Sequence, residues 1–340
     1  MTTSPLLDSR LPIVAAPMAG GPSSVALGAG VVSAGAFPFL AAGYKTPEAL
    51  ATEIAAARSW NAPFGVNLFS PGAIEPDQTA FAAYVDRLRP EAMLYDLELD
   101  PTPRSDDDHW HEKLALLLDD PVPVVSFTFA LPPASDIDRL QQAGSVVLVS
   151  VTTLDEAGAA SAAGDGLVVQ GPRAGGHSAT WNPRRAIVDR PTAQLVTEVR
   201  AATRLPLIAA GGVDGPAAVR KLLAAGAEAV AVGTLLLRAN EAATSQTHRD
   251  ALAARPDAAT VMTCAFTGRP ARAIRNGFID RHDVDALIAY PAVHHLTREL
   301  RRRAAAAGDA DRVHLWAGTG YREADAQPAS KIIDKLSRQL

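Results

Sequence analysis

Eight short apolar runs, each bounded by turn residues, constrain this chain more than any other feature. They are Ile13–Pro17, Val31–Phe37, Phe64–Phe69, Val122–Phe129, Val146–Val151, Leu167–Gln170, Leu207–Ala210 and Ala229–Val232. Most are continuous instead of alternating, the mark of strands covered on both faces. Alanine-rich stretches with helical spacing lie between them, as in Pro47–Ala57, Asp155–Ala163, Thr192–Ala202 and Gly215–Ala225. Strand and helix alternating eight times predict an α/β fold, a (β/α)8 barrel. The rival is an open doubly wound sheet, which usually shows fewer units.

A length of 340 residues would suggest two domains at about 150 residues each, but barrels of this kind routinely exceed 200 residues as one domain. After Leu237 the alternation stops. Residues 238–311 read as helices and loops with no clear strand, a small helical cap inserted after the eighth strand. Residues 1–237 with 312–340 then make the barrel, closed by an amphipathic helix over Pro328–Leu340. The acidic stretch Pro90–Asp120 has no evident place in the pattern.

From Leu11 to Tyr44 the chain carries no charged residue, which raises the question of a membrane span. Pro12, Pro17, Pro22 and Pro38, with six glycines among and after them, break any spanning helix. Asp8 and the break at Pro17 also argue against a signal peptide. The run reads as the first two strands and their connection, buried under helices. Aromatics are only 5%, so the core is aliphatic, as barrel interiors are. A net charge of −5 gives no basic field to recruit nucleic acid. The single cysteine, Cys264, excludes an intrachain disulfide and suits the cytoplasm. No membrane or nucleic-acid partner is expected, and the chain reads as a monomer or homodimer.

In such barrels the site lies at the C-terminal ends of the strands. The seventh run is followed by Gly211-Gly212 and the eighth by Gly233-Thr234. Loops at these two positions form the usual phosphate site of barrels, and backbone N–H groups of Gly212, Gly233 and Thr234 could hold phosphate oxygens. A tight turn would also account for the paired glycines. The sixth run ends at Gln170 and leads to Gly175-Gly176-His177, in which two glycines can lie against a planar ligand. An imidazole titrates near neutrality, which suits His177 to proton transfer, although a turn or capping histidine is the plain alternative. Asn67 ends the third run; its carboxamide, like that of Gln170, can both donate to and accept from a ring edge. Pro17 and Met18 follow the first run, where packing would explain them equally.

Other candidates are weaker. Asp106–Asp108 with His109 and His111 have metal-ligating side chains but no known ligand spacing, and read as solvated surface. No metal site is expected. His294 and His295, adjacent on a helix, point apart, with at least one expected exposed. Cys264 has no base paired to it and reads as an inert thiol.

Together these pieces resemble the nitronate monooxygenase family over nearly the whole chain. The resemblance rests on Ala15-Ala-Pro-Met-Ala19, Ala42-Gly-Tyr-Lys45, Phe64-Gly-Val-Asn67, Ala174-Gly-Gly-His177, Ala210-Gly-Gly-Val213 and Val232-Gly-Thr234. It continues through Phe266-Thr-Gly-Arg-Pro-Ala-Arg272, Tyr290-Pro291 and Leu315-Trp-Ala-Gly-Thr-Gly320. It implies a TIM barrel holding FMN non-covalently. Asn67, Gln170 and Gly175 would then contact the flavin, with Gly176 beside it. Gly211, Gly212, Ala231, Val232, Gly233 and Thr234 would hold the phosphate end. Pro17 and Met18 would wall the ring, and His177 would face the substrate.

The implied reaction is oxidation of alkyl nitronates, such as propionate 3-nitronate, with O2 to a carbonyl compound and nitrite. Lys45 and Tyr321 are supporting candidates. Two features depart from the family pattern: Arg173 stands where relatives often carry an acidic residue, and Ser178-Ala179 where they often carry Arg-Gly. Arg173 would favour an anionic substrate, or point to solvent. The rival readings are an FMN-dependent, NAD(P)H-using enoyl-ACP or quinone reductase, and a flavin-free barrel isomerase or lyase acting on a phosphorylated metabolite.

Overall fold

The computed structural model describes residues 7–338 and 340. Eleven strands are present among them: β1 (Ile13–Ala15), β2 (Phe37–Ala41), β3 (Gly65–Phe69), β4 (Val124–Thr128), β5 (Val146–Val151), β6 (Gly166–Gln170), β7 (Gly176–His177), β8 (Leu207–Ala210), β9 (Ala229–Val232), β10 (Thr260–Thr263) and β11 (Ala271–Ile274). Eight of them close a parallel barrel in the order β1-β2-β3-β4-β5-β6-β8-β9. Closure comes from β1 on β9, with Ile13 opposite Val230 and Ala15 opposite Val232. Helices surround it, giving the (β/α)8 TIM barrel. No described helix is long and apolar enough to cross a membrane.

The period of two along each strand explains both the core and the site. Outward residues of β5, Val147, Val149 and Val151, pack under the helices, whereas Leu148 points into the barrel. Val14, Phe37, Phe39, Val124, Leu148 and Ile208 fill that interior. Gly65 makes room for the Phe39 ring, since a Cβ there would lie 2.2 Å from Phe39 Cε1. Two residues further on, the same inward rows change character, to Asn67 on β3, Ser126 on β4, Ser150 on β5 and Gln170 on β6. The apolar plug therefore ends in a polar floor at the C-terminal mouth.

Several expected boundaries shift. Val31–Phe37 is not one strand: Val31–Ser33 ends the helix Val25–Ser33, capped by the Ser24 side chain accepting from Leu27 N, and the strand begins at Phe37. The uncharged opening thus holds β1, this helix and β2. The unplaced stretch supplies the end of the helix Gln78–Met93 and the helix Trp110–Asp119. The last helix spans Ala329–Leu336, and Gln339 lies outside the described residues.

The segment 238–311, expected to lack strands, contains β10 and β11. These form an antiparallel sheet with β7 in the order β10-β11-β7, with Ala271 opposite His177. Each of these strands is too short to show a period of its own, and a cation, Arg272, lies within β11. Arg272 is accommodated because its Nε donates to Pro172 O and its Nη1 to Thr260 O.

Candidate active site

A cavity of about 670 Å³ opens at the C-terminal mouth of the barrel. Asn67 stands on its floor, with Nδ2 donating to Ser126 Oγ (2.9 Å) and Thr128 Oγ1 (3.0 Å). Both bonds use the amide nitrogen, so Oδ1 faces the cavity as an acceptor without a partner among the described residues. Gln170 lines the cavity and also ties its neighbours together. Its Oε1 accepts from Ala179 N at 2.8 Å and its Nε2 lies 3.3 Å from His177 O, tying down the chain on both sides of β7.

The glycine loops sit on one side of this floor. Gly211 and Gly212 have φ of +98° and +77°, a conformation that glycine adopts without a Cβ penalty. Across from them, Gly233 lies against Met18, whose Sδ would be 3.4 Å from a Cβ at Gly233. The backbone N–H groups of Gly212 and Gly233 have no acceptor among the described residues. Unpaired donors on two adjacent loops suit phosphate oxygens. The loop Ala317-Gly318 packs onto this region, and Gly318 N donates to Thr234 Oγ1 at 2.9 Å. Gly175 is required beside it, because a Cβ there would fall 2.4 Å from Gly318 N.

His177 lines the cavity on β7, ringed by Phe129, Tyr290 and Trp316 at centroid distances of 5.7, 5.9 and 5.5 Å. Its Nε2 lies 2.9 Å from Thr267 Oγ1. Burial, with a smaller push from the Arg269 and Arg301 guanidiniums, lowers its pKa to about 3. The imidazole is therefore neutral at physiological pH. Phe129 is held at a φ of +90°, uncommon for a side chain with a Cβ. Arg269 stacks over its ring at 3.9 Å, and Arg269 Nη2 reaches the carbonyls of Phe129 and Thr180.

Most of the residues expected at the site line this cavity: Pro17, Met18, Asn67, Gln170, Gly175, Gly176, His177, Gly211, Gly212, Ala231, Gly233 and Thr234. Val232 and Tyr321 do not. Val232 points outward into the core under the helices. Tyr321 is buried with its hydroxyl 2.6 Å from both Arg255 O and Ala258 O, a structural clamp. Lys45 and Arg173 line the cavity, but each charge is already met. Lys45 Nζ pairs with Glu53 at 2.6 Å, and the Arg173 fork pairs with Asp189 at 3.0 and 3.2 Å.

A second wall of the cavity carries no local signal in the sequence. Tyr44 stacks on His294 at 4.1 Å and 5°, so His294 is part of the site and not a bystander. Tyr44 is placed by the acidic loop: Asp108 accepts from Tyr44 N and pairs with the buried Lys113. Asp108 is thus structural, and the described residues hold no group of His, Cys, Asp and Glu suited to a metal. Burial pushes the Cys264 thiol up to about 12, which keeps it unreactive.

An eight-stranded parallel barrel with its cavity at the C-terminal mouth defines an enzyme of the barrel class. The family model for nitronate monooxygenase matches residues 4–339. A probable nitronate monooxygenase of Staphylococcus aureus is 32% identical over 98% of this chain and 96% of its own length. The nitroalkane oxidase of Streptomyces ansochromogenes has a crystal structure similar to this one, with a TM-score of 0.92, 44% identity and coverage of 98% and 96%. FabK of Thermotoga maritima shares the fold, at a TM-score of 0.71 and 23% identity. The chain belongs to the nitronate monooxygenase family and is an oxidoreductase.

Proposed function

We propose that this enzyme holds FMN in the barrel mouth and oxidises alkyl nitronates with O2 to a carbonyl compound and nitrite. The observation that carries the reading is the neutral His177, set into an aromatic ring of residues over a polar floor and beside two loops with unpaired N–H groups. Asn67, Gln170 and Gly175 border the space for the flavin ring, Pro17 and Met18 form its wall, and Gly212, Gly233 and Thr234 border the phosphate end. Bound there, FMN would supply the redox chemistry that carries electrons from the nitronate to oxygen.

The chain's own residues do the rest. Thr267 Oγ1 also lies 3.3 Å from Arg269 O. With its hydroxyl donating there, His177 Nε2–H donates to Thr267 and Nδ1 is an acceptor; with the hydroxyl turned to Nε2, Nδ1 carries the proton and offers a donor to a nitro oxygen. A conjugate acid with a pKa of about 3 makes a poor general base near neutrality. The site therefore favours nitronates, already deprotonated, over neutral nitroalkanes. Phe129, Tyr290 and Trp316 exclude water around the imidazole. Residues 238–311 act as the cap on the substrate side.

The test is anaerobic mixing of the FMN-loaded protein with a nitronate, and separately with NADH, while following the flavin spectrum. Bleaching by nitronate, followed by nitrite release on admitting oxygen, is expected. Rapid bleaching by NADH instead would identify a reductase. His177→Asn should keep FMN and lose about 100-fold or more in turnover; full turnover in that variant would remove His177 from the chemistry.

A further inference from the structure

The cavity is lined by several cations, and all but one of the buried or half-buried ones are neutralised. Lys45 has Glu53 and Arg173 has Asp189, whereas Arg298 and Arg302 are exposed. Arg301 differs. It lies on the helix Ala292–Ala306, is 6% exposed, and has no carboxylate within ion-pair distance among the described residues. Its Nε donates to Thr297 Oγ1 at 3.0 Å, and its Nη2 lies 3.2 Å from both Nδ1 and the carbonyl oxygen of His294. These bonds fix the plane of the fork. They leave Nη1 with no acceptor among the described residues, on the lining of the cavity.

An isolated buried guanidinium is expensive and persists where something offsets it. Nothing acidic from the protein does so here, and burial draws the Arg301 pKa down to about 10. Its position identifies the missing partner. His294, to which it is bonded, stacks on Tyr44 and lies 6.2 Å from the Tyr290 ring, which is itself 5.9 Å from His177, so Arg301 belongs to the substrate side of the cavity. The glycine loops that suit a phosphate are built from different elements, around Gly212 and Gly233. A preoriented fork with one free edge matches a carboxylate.

We infer that Arg301 is a specificity-determining residue. Its free edge binds a carboxylate carried by the substrate away from the nitro group, and so selects carboxylated nitronates over alkyl nitronates of the same length. The inference rests on the nitronate reading of this cavity. His294 and Thr297 are positioning residues for it.

The test compares kcat/KM for propionate 3-nitronate and for 1-nitropropane nitronate in the FMN-loaded enzyme and in Arg301→Gln and Arg301→Lys. The ratio of the two should fall about 10- to 100-fold in Arg301→Gln. It should recover in part in Arg301→Lys, which restores charge but not the fork. A ratio within threefold of the parent overturns the inference while leaving the nitronate reading intact. Turnover of neither nitronate by the parent enzyme overturns the nitronate reading itself. If Arg301→Gln does not fold, the parent enzyme decides. Propionate should then compete with 1-nitropropane nitronate at least tenfold better than propionamide does, and equal inhibition by the two overturns the proposal.

Discussion

Gly175→Ala isolates the contact between the histidine loop and the Ala317-Gly318 segment. No positive φ is required at Gly175, so alanine costs nothing in backbone conformation. The added Cβ would lie 2.4 Å from Gly318 N and 2.6 Å from Ala317 C, both backbone atoms. Ordinary contact begins a full ångström further out, so Gly318 must retreat by about 1 Å. That retreat breaks its 2.9 Å bond to Thr234 Oγ1 beside the phosphate loop. Overpacking costs about 1–3 kcal/mol, and the lost hydrogen bond adds about 1 kcal/mol. Stability should fall by about 2–4 kcal/mol, and FMN should bind about tenfold or more weakly. Urea denaturation and titration of flavin fluorescence measure the two. Unchanged midpoints together with FMN affinity within twofold of the parent would refute the close packing of these loops.

Gly158→Ala is the matched contrast, since its Cβ meets nothing within 4 Å on the helix Leu154–Ala160, and it should gain about 0.5–1 kcal/mol in the same denaturation assay. His248 is buried with its pKa pushed down to about 4, so it stays neutral in the fold but protonates in the unfolded chain below about 6.5. Its contribution is therefore lost as pH falls, and His248→Asn should flatten the drop in stability between about pH 7.5 and 5.5 by about 1 kcal/mol relative to the parent; parallel curves would contradict this. Tyr321→Phe removes the hydroxyl shared by Ala258 O and Arg255 O, the latter of which still accepts from Ala258 N, and should cost about 1 kcal/mol in thermal or urea unfolding while leaving the KM for nitronate unchanged; a raised KM at full stability would restore Tyr321 to the substrate site.

The barrel was legible because its strands are buried on both faces and carry their signal in continuous apolar runs. Its boundaries were less so: Val31–Ser33 is as apolar as a strand, yet its backbone is helical and capped by Ser24. The glycine loops and His177 could be read because they follow strands directly, and a strand end fixes where the next residues go. Tyr44, His294 and Arg301 could not. Tyr44 depends on a loop anchored by Asp108 and Lys113, some 64 to 69 residues away in sequence, and Arg301 sits in a run of three arginines. Nothing in a local pattern distinguishes the buried arginine of Arg301-Arg302-Arg303 from its solvated neighbours. Val232 and Tyr321 erred the other way, since the motifs holding them reach the cavity through other members.

The two-residue strand β7 pairs with β11 and not with the barrel. His177 thus belongs to the barrel loop by sequence and to the inserted sheet by backbone pairing. A chimera that exchanged β10 and β11 for those of a relative would keep the eight barrel strands but change the ladder against which the histidine is laid. Grafts meant to transplant substrate preference between such enzymes must therefore carry the stretch from Gln170 to Ala179 along with the insert, as one inheritable unit.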